Sequence, residues 1–357
     1  MNHLGILRDP LFLLHVNDPD HVESPDRLRA IDAALQSSGL SDQLVELPAR
    51  DAAREELGWV HEEKWIRAAE RTRGAAHTPL DPDTAANEHS FDAAVRAAGG
   101  VISCVEAAAR GGLAAAFALV RPPGHHAESD RAMGFCLFNN AAVAAEYALR
   151  RLGVQRILIV DWDVHHGNGS MHHFYGTDRV LFFSTHQYPH YPGTGRLDEI
   201  GSGPGRGYTV NVPLPPGQGD EEYAAIFEQV LRPIAVEYAP QIILVSAGFD
   251  IARGDPLGDM EVTAAGFSRM TRILMNLAAE CCPGRLVFTL EGGYRLDALA
   301  GGVAAVLETL AESGVVEAQG QAEGKAVDGR VPSVRAETPA VIEAVRAELR
   351  PFWRSLE

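Results

Sequence analysis

Two carboxylates and two imidazoles stand close together in the sequence DWDVHHGNG, which follows an apolar run at 156–160. Core packing does not explain this density of metal-capable groups at the end of a predicted strand. Side chains alternate along an extended segment, so Asp161, Asp163 and His165 are expected to project to one side. There they could present oxygen and nitrogen ligands to a divalent metal. A polar surface turn is the alternative.

A further carboxylate follows a second apolar run, at 241–245, in the sequence SAGFD. Its last residue, Asp250, is weak evidence alone, because an Asp after a strand is often a helix N-cap. With Asp163 and His165 it completes three protein ligands and leaves a position open for water, which is the pattern of catalytic zinc. No cysteine lies in these motifs, so a sulfur-rich structural zinc site is not expected. Iron(II) is the alternative metal, because an Asp/His/Asp site does not discriminate sharply between the two.

Two adjacent imidazoles follow a third apolar run, at 114–120, in the sequence RPPGHHA. The two prolines and Gly124 predict a stiff turn that holds His125 and His126 at the sheet edge. With three ligands already assigned, these histidines are favoured as acid–base groups over further metal ligands. Two unrelated surface histidines are the alternative, but eight of the 14 histidines lie between His125 and His190.

A tyrosine follows a fourth apolar run, at 286–290, in the sequence EGGY. Gly292 and Gly293 permit a sharp backbone turn there. The hydroxyl of Tyr294, delivered by that turn, could donate a hydrogen bond to a developing oxyanion. A packing role for the ring is the alternative.

The elements that must position these residues alternate between strand and helix. Apolar runs of strand length recur at 114–120, 156–160, 180–184, 208–212, 242–245 and 286–290. Helices are predicted at 24–37, 140–152, 221–238, 263–279 and 338–355. This alternation predicts an α/β fold with an open, largely parallel sheet and helices on both sides. Such sheets bind ligands beyond the carboxyl ends of their strands, which is where the metal-capable residues fall.

No internal repeat and no break in composition divides the chain before residue 310. We therefore predict a single domain over residues 1–357, with a motif-bearing core at about 19–310. A C-terminal loop and helix are predicted at 311–357, with the polar, Gly-rich part of the loop at 317–334.

Charge and composition exclude some classes of function. Forty-eight acidic side chains against 31 basic ones give a formal charge of −17, which argues against a nucleic-acid surface. The charge is compatible with cationic substrates, although acidity can simply maintain solubility. No uninterrupted apolar stretch of about 18 residues predicts a membrane span. No secretory signal is visible, and four cysteines without a framework spacing fit a reducing cytoplasm.

Taken together and in this order, RPPGHHA, DWDVHHGNG, SAGFD and EGGY resemble the motifs of the histone deacetylase and acetylpolyamine amidohydrolase family. The sequences of the four motifs are most similar to those of the class II branch, which includes bacterial histone deacetylase-like amidohydrolases. Each motif alone is of moderate specificity, whereas the four in register are strongly specific. The resemblance implies the arginase/deacetylase fold, with a central parallel sheet of about eight strands. It also implies zinc-dependent hydrolysis of an acyl-amide.

The resemblance assigns roles by motif position. Asp163, His165 and Asp250 look like the zinc ligands. Tyr294 resembles the residue that, with the metal, polarises the acyl carbonyl and stabilises the tetrahedral intermediate. Some class II members carry His at that position and are poor deacetylases, so this chain is expected to be catalytically competent.

The two adjacent histidines also acquire roles from the resemblance. His126 resembles the general base, and His125 resembles its electrostatic partner, hydrogen-bonded to Asp161. Asn168 stands where class I enzymes carry an Asp behind the second His. Because an amide cannot stabilise an imidazolium as a carboxylate does, His126 is expected to be less basic than it would be with Asp.

Members of the family also bind monovalent cations, and two potassium sites are expected by resemblance. The inner site, formed partly by main-chain carbonyls, matches Asp161, Asp163, His165, Ser184 and Thr185. The outer site uses mostly carbonyls and matches Phe174, Thr177, Val180 and Tyr208.

Several residues resemble substrate contacts. Gly134, Phe135 and Tyr191 match loops whose aromatic rings wall an acyl-lysine tunnel, with core packing as the alternative. Asp83 roughly matches a loop Asp that grips a peptide backbone. Arg27 resembles an arginine near an acetate exit path, and a plain surface position on a helix is the alternative.

An acetylated polyamine is the competing substrate. In the polyamine-preferring branch, a Glu in a Gly-Asp-Pro-x-Gly segment selects a second cationic amine, whereas Leu257 stands in that place here. The loop at 18–23 also lacks the Pro-x-Cys-Glu pattern that constricts the entrance in that branch. The expected partner is therefore an acylated lysine peptide or protein ahead of a small acylated amine, with neither nucleic acid nor membrane.

Two other functions compete with the hydrolase. A catalytically silent acyl-lysine reader would have lost a metal ligand or Tyr294, and none is lost. An arginase-type binuclear manganese hydrolase would need further carboxylates, such as an Asp where His165 or His166 stands. Bacterial members often form homo-oligomers, but no sequence feature decides the oligomeric state of this chain.

Overall fold

The strands of this computed structural model, which describes residues 3–18, 20–316 and 334–357, form a large parallel sheet and a small antiparallel pair. Their bounds are β1 His3–Leu7, β2 Leu44–Glu46, β3 Thr78–Pro79, β4 Ala85–Ala86, β5 Leu113–Ala118, β6 Ile157–Asp161, β7 Val180–Gln187, β8 Thr209–Leu214, β9 Ile242–Ala247 and β10 Leu286–Leu290. The large sheet has eight strands in the order β2-β1-β5-β10-β9-β6-β7-β8, and all its pairings are parallel. The predicted α/β architecture is confirmed.

Every residue of β6, β7, β9 and β10 is buried. A parallel sheet covered by helices on both faces requires apolar side chains on both sides of each strand. This requirement explains why these strands read as continuous apolar runs in the sequence. The edge strand β2 is partly exposed, so it carries no such run and was missed, as was the short N-terminal strand β1.

The helices cover the sheet and connect successive strands. Their bounds are α1 Asp26–Ser37, α2 Arg54–Leu57, α3 Glu63–Glu70, α4 Ser90–Arg110, α5 Asn140–Arg151, α6 Asn168–Phe174, α7 Asp220–Ile226, α8 Arg232–Tyr238, α9 Ala264–Cys281, α10 Leu296–Val316 and α11 Thr338–Leu349. A π-helical segment, Phe227–Leu231, joins α7 to α8, so the single helix predicted at 221–238 contains a local change of pitch. Of the helices in the described residues, none is long and apolar enough to cross a membrane.

The C-terminal region differs from the prediction at both of its ends. Helix α10 continues to Val316, past the predicted core boundary at 310, and residues 317–333 of the predicted loop lie outside the described part of the chain. Helix α11 ends at Leu349 and not at 355. Beyond it the indole of Trp353 donates a 2.8 Å hydrogen bond to the carbonyl of Gly207, which ties the end of the chain to the sheet.

The strand order brings the four motifs to one edge of the sheet. Strands β5, β10, β9 and β6 are consecutive neighbours, and each is followed directly by one motif. Asp161 at the end of β6 lies in register with Ser184 of β7 and Ser246 of β9. Parallel strands end at the same edge, so segments far apart in sequence meet there.

A buried ion-pair network ties the N-terminal region to this edge. The carboxylate of Glu23 accepts hydrogen bonds from Nε and Nη2 of Arg121 and from Nη1 of Arg27, and all three side chains are fully buried. Nη1 of Arg121 also donates to the carbonyls of Phe12 (2.7 Å) and His15 (3.1 Å). Burial alone would raise the pKa of Glu23, but the facing Arg121 guanidinium outweighs burial and holds that pKa well below its usual range.

We expect Glu23→Gln to lower the free energy of unfolding by about 3 kcal/mol or more, because it leaves a buried guanidinium facing a neutral amide. The carboxylate contributes this stability above its unfolded-state pKa of about 4.3, and the contribution is lost as the pH falls through the lower folded-state pKa. Urea denaturation followed by circular dichroism should therefore show a difference near neutral pH that shrinks in acid. Glu63→Gln, which removes an exposed partner of Arg54, is the control and should change little. Equal losses for both variants would contradict this account.

Candidate active site

Asp163, His165 and Asp250 converge at the carboxyl edge of the sheet. One ligand atom from each lies within 4.8 Å of the others, and all three residues are buried. Nδ1 of His165 lies 3.0 Å from Oδ1 of Asp163 and 3.3 Å from Oδ2 of Asp250. The three residues that the sequence singled out as metal ligands are thus brought together from two adjacent strands.

The segment that carries two of these residues is bent and not extended. β6 ends at Asp161, and the following backbone turns because carboxylates accept hydrogen bonds from amides two residues further on. Oδ1 of Asp161 accepts from the amide of Asp163 (3.2 Å), and Oδ1 of Asp163 accepts from the amide of His165 (2.9 Å). Asp side chains favour this local geometry. The expectation of simple alternation was wrong, and these turns account for the convergence.

The environment of the three side chains fits a bound cation. Oδ2 of Asp250 is buried and accepts no hydrogen bond, which is costly for a carboxylate oxygen. A Cβ atom on Gly292 would lie 2.1 Å from that oxygen and 2.6 Å from Oδ2 of Asp163, so only glycine leaves this space free. Two carboxylates and one imidazole are a donor set that suits zinc and iron(II).

The same three groups perturb one another electrostatically. Burial and the neighbouring Asp163 carboxylate raise the pKa of Asp250 to about 7. Burial alone would lower the pKa of His165, but the hydrogen bond to Asp163 and the nearby carboxylate of Asp250 outweigh it and raise the pKa to about 9. A site with two carboxylates and a readily protonated imidazole therefore holds protons that a metal cation would displace.

Two imidazole–acceptor pairs stand beside these residues, as the sequence predicted. Nδ1 of His125 lies 3.0 Å from Oδ2 of Asp161, and Nδ1 of His126 lies 2.7 Å from Oδ1 of Asn168. The two imidazole rings are adjacent, with centroids 3.9 Å apart. Both rings are buried, and both lie close enough to the Asp163 carboxylate to be influenced by its charge.

The adjacent histidines have opposite protonation tendencies. Burial would lower the pKa of His125, but Asp161 and Asp163 outweigh it and raise the pKa to about 10. Burial, together with the positive charge on His125, lowers the pKa of His126 well below its ordinary value. At neutral pH, His126 is therefore an uncharged base beside a charged partner. The hydrogen bond to Asn168 acts in the opposite direction and raises that pKa. The expectation that His126 is less basic than it would be with an Asp at position 168 stays a prediction.

Glu291 connects two of the motifs, a role that sequence reasoning missed. Its buried Oε2 accepts hydrogen bonds from the amides of Gly124 (2.7 Å) and His125 (3.1 Å). The glutamate of EGGY thereby fixes the turn of RPPGHHA on the neighbouring strand. The only sequence signal was an acidic residue directly after a buried strand, and its partners are backbone amides that carry no signature.

Tyr294 is held by its backbone and its ring. Oδ2 of Asp255 accepts from the amides of Tyr294 (2.7 Å) and Arg295 (3.0 Å), and the guanidinium of Arg27 lies 5.0 Å from the centroid of the Tyr294 ring. Arg27 is fully buried and donates to the carbonyls of Gly293 and Glu291, so it is not the surface helix residue that was the alternative. Burial raises the pKa of Tyr294, so its hydroxyl remains a hydrogen-bond donor.

A cavity of about 340 Å³ opens from these residues to the surface. It is lined by Asp83, His126, Gly134, Phe135, His165, His190, Tyr191, Pro256, Leu257, Gly258, Asp259 and Tyr294. The residues predicted to lie against the substrate are therefore all in its wall: Asp83, Gly134, Phe135, Tyr191 and Leu257. His190 was not predicted: its ring stacks on His165 with centroids 5.2 Å apart, and its Nε2 lies 3.0 Å from the Leu257 carbonyl.

The aromatic wall of the cavity depends on one glycine and one hydroxyl. Gly134 has φ 54°, and a Cβ atom there would lie 2.3 Å from the His126 ring. Phe135 also has a positive φ of 68°, and its amide donates a 2.9 Å hydrogen bond to Oγ1 of Thr84. That hydroxyl donates in turn to Oδ1 of Asp83 (2.9 Å). The loop that carries Asp83 is thus joined to Phe135.

The residues expected at the inner potassium site lie behind the candidate metal ligands. Ser184 and Thr185 are fully buried in β7, next to Asp161 in register. Oγ of Ser184 lies 3.0 Å from Nδ1 of His186, whereas Oγ1 of Thr185 has no hydrogen-bond partner. Of the outer set, the carbonyl of Phe174 accepts from the amide of Thr177 (3.2 Å) and that of Tyr208 accepts from Phe182 (2.9 Å). Both cation sites stay predictions.

Comparison with known proteins gives one consistent result. The family model of the histone deacetylase domain matches residues 21–310. Histone deacetylase 15 of Arabidopsis thaliana is 42% identical over 357 residues, which cover 98% of this chain and 62% of that protein. A probable deacetylase of Archaeoglobus fulgidus is 42% identical over 295 residues, which cover 82% of each chain. Human polyamine deacetylase HDAC10 is 37% identical over 358 residues, which cover 96% of this chain and 51% of that protein.

A solved structure agrees with the sequence comparisons. The crystal structure of the HDA15 HD domain superposes with a TM-score of 0.90 at 40% sequence identity, covering 99% of this chain and 96% of that one. The chain described here thus spans a whole solved domain, but less than two thirds of the length of the plant and human relatives.

We expect zinc uptake by the metal-free protein at about pH 7 to release roughly one proton or more, because a nitrogen ligand must be deprotonated and His165 has a raised pKa. The affinity for zinc should therefore increase with pH towards about 9. Titration calorimetry in buffers of different ionisation enthalpy measures the number of protons released. Asp250→Asn, which removes one anionic ligand, should weaken binding strongly. A binding heat that is independent of the buffer would contradict the assignment.

Proposed function

Because the chain belongs to the histone deacetylase family, we propose that it is a zinc-dependent hydrolase of N-acylated amines and that acetyl-lysine side chains are its preferred substrate. One observation supports this most directly. His126, His165 and Tyr294 all line the same cavity, so a base, a metal ligand and a hydrogen-bond donor face one space. An amide at the base of this cavity would meet all three groups.

Asp163, His165 and Asp250 would hold the zinc ion, with iron(II) as the alternative metal. When bound, zinc supplies Lewis acidity towards the acyl carbonyl and lowers the pKa of the attacking water towards about 7. The buried, unpartnered oxygen of Asp250 and the space kept free by Gly292 support this assignment.

His126 would take the proton from the attacking water. Its Nδ1 is engaged by Asn168, so the remaining nitrogen, Nε2, is available as the base. The charged His125 keeps His126 neutral beforehand, and once His126 is protonated the two like charges favour transfer of that proton to the departing amine. One residue can thus act first as base and then as acid.

Tyr294 would donate a hydrogen bond to the acyl oxygen as negative charge develops on it. Asp255 and Arg27 hold the tyrosine in place, so the donor is positioned before substrate binds. Phe135 and Tyr191 would wall the extended aliphatic chain of the substrate by apolar contact.

An acetylated polyamine is a second candidate substrate, supported by the acidic mouth of the cavity and by the human relative named a polyamine deacetylase. Asp83 and Asp259 line the cavity and would attract a second cationic amine. Leu257, which lines the same cavity, supplies no charge. Because Leu257 stands where the polyamine-preferring branch has a Glu, we propose acetyl-lysine as the preferred substrate.

Ser184 and Thr185, together with Asp161, would hold a potassium ion behind the zinc ligands. The unpartnered Thr185 hydroxyl and the buried position of all three residues support this assignment. A cation there would offset the charge of Asp161 and Asp163 from the side opposite the cavity.

We expect the zinc-loaded protein to cleave an acetyl-lysine peptide, with Tyr294→Phe lowering kcat by about 10²–10³ and His126→Ala by about 10²–10⁴. KM should change little, because both groups act mainly on the transition state. A fluorogenic peptide assay provides the rates. Tyr147→Phe, whose hydroxyl bonds to Glu106 on another helix, is the control for loss of a tyrosine hydroxyl. Full activity in either site variant would overturn the assigned roles.

We expect Leu257→Glu to raise kcat/KM for N-acetylspermidine by about tenfold, because a carboxylate in the cavity wall attracts the distal ammonium group. Activity on the acetyl-lysine peptide should fall or stay constant. Leu257→Gln separates charge from polarity and should not produce the gain. If the wild-type protein already prefers the polyamine, the substrate order proposed here is wrong.

A further inference from the structure

A series of hydrogen bonds runs from His126 through Asn168 to Glu128 and His172, and the last two residues have no role in the proposed mechanism. Oδ1 of Asn168 lies 2.7 Å from Nδ1 of His126, and Nδ2 of Asn168 donates to Oε1 of Glu128 at 2.5 Å. The same Oε1 lies 2.8 Å from Nδ1 of His172, whose side chain is 47% exposed. Glu128 therefore contributes the carboxylate in this series of hydrogen bonds and contacts the NH₂ group of the Asn168 side chain.

The charge of Glu128 determines which way that amide points. Burial would raise the pKa of Glu128, but hydrogen bonds from His172 and Asn168 outweigh it and lower the pKa, so the group is ionised at neutral pH. An ionised carboxylate only accepts hydrogen bonds. Asn168 therefore turns its NH₂ group towards Glu128 and presents its carbonyl oxygen to Nδ1 of His126. A longer hydrogen bond from the same NH₂ group to the main-chain carbonyl of His126 (3.3 Å) favours the same orientation.

The orientation of the amide in turn selects the tautomer of His126. A carbonyl oxygen accepts a hydrogen bond, so Nδ1 of His126 must carry the proton and Nε2 must be free. If Asn168 were reversed, its NH₂ group would donate to Nδ1, and the proton would move to Nε2. The base would then be missing from the cavity although every residue of the mechanism was still present.

We propose that Glu128 is a positioning residue that fixes the Nδ1–H tautomer of His126 by orienting the side chain of Asn168. This inference rests on the proposed role of His126 as the base. His172 lies one helical turn after Asn168 on α6, so both reach the same carboxylate oxygen. The backbone of Glu128 is anchored as well, because its carbonyl lies 2.9 Å from Nδ1 of His61.

Exchange of the donor and acceptor groups tests this arrangement. Glu128→Lys replaces the acceptor by a donor, which favours the reversed amide, and kcat should fall by about tenfold or more with KM within about twofold. Asn168→Asp places two carboxylates face to face and should also lower kcat. In the double variant, the introduced ammonium group pairs with the introduced carboxylate, which again accepts from Nδ1 of His126. The double variant should therefore be more active than either single variant.

A second measurement does not depend on activity. In protein labelled with ¹⁵N-histidine, the His126 resonances, identified by their loss in His126→Ala, report the tautomer directly. We expect Nδ1–H in the wild type, a shift towards Nε2–H in Glu128→Lys, and Nδ1–H again in the double variant. Zinc content should be the same in all of them, because none of these residues is a candidate ligand.

Glu146→Lys is the matched control. Glu146 is buried to a similar extent and is paired with His173 (3.1 Å), but it has no hydrogen bond to Asn168 or His126. It should leave kcat and the His126 resonances unchanged. A double variant no better than the poorer single variant, or an unchanged tautomer in Glu128→Lys, would overturn the inference. If the wild type cleaves no amide, the proposed function fails separately, and the resonances still decide the role of Glu128.

Discussion

Two aspartates, Asp163 and Asp250, are held side by side in the interior, and one oxygen of Asp250 has no hydrogen-bond partner. Buried like charges are unfavourable unless a cation or a proton compensates them. In the metal-free protein, a proton on His165 or Asp250 provides that compensation. The rest of the site keeps these carboxylates together in the interior, where they would attract a divalent cation strongly.

Buried contacts farther from the two aspartates hold the surrounding loops in place. Glu291 fixes the turn before His125, Asp255 fixes the backbone of Tyr294, and Arg27 links that loop to Glu23. Each contact joins segments that are distant in sequence but adjacent at the sheet edge. Removing one partner of such a contact leaves a buried charge unpaired. Because the interior is weakly polarisable, the unpaired charge would lower the free energy of unfolding substantially. The geometry of the candidate site thus depends on buried charged groups that do not line the cavity.

The sequence was sufficient for the convergence of the motifs and for the fold class. DWDVHHGNG, SAGFD, RPPGHHA and EGGY each follow a buried strand, and parallel strands end at one edge, so their meeting could be expected. The local shape at Asp161–His165 could not, because Asp side chains turn the backbone there. Glu291 belongs to the EGGY motif, but no role could be predicted for it, because its hydrogen-bond partners are backbone amides.

Other features carry no periodic or motif signal. β2 is an edge strand of three partly or fully exposed residues, so no run of buried apolar residues marks it in the sequence. Glu128 acts through Asn168. Its pKa is lowered by hydrogen bonds from His172, one helical turn after Asn168 on α6, and from Asn168 itself. Such pairings depend on three-dimensional proximity, so they become visible only once the chain is folded.

The assignment of a single catalytic zinc ion is tested most sharply by a zinc titration of chelator-stripped protein, followed by hydrolysis of an acetyl-lysine peptide. We expect no activity without metal, a linear rise on addition of zinc and saturation at about one equivalent, with Asp163→Asn and Asp250→Asn inactive throughout. Full activity of the stripped protein, or a requirement for two metal ions per chain, would contradict it.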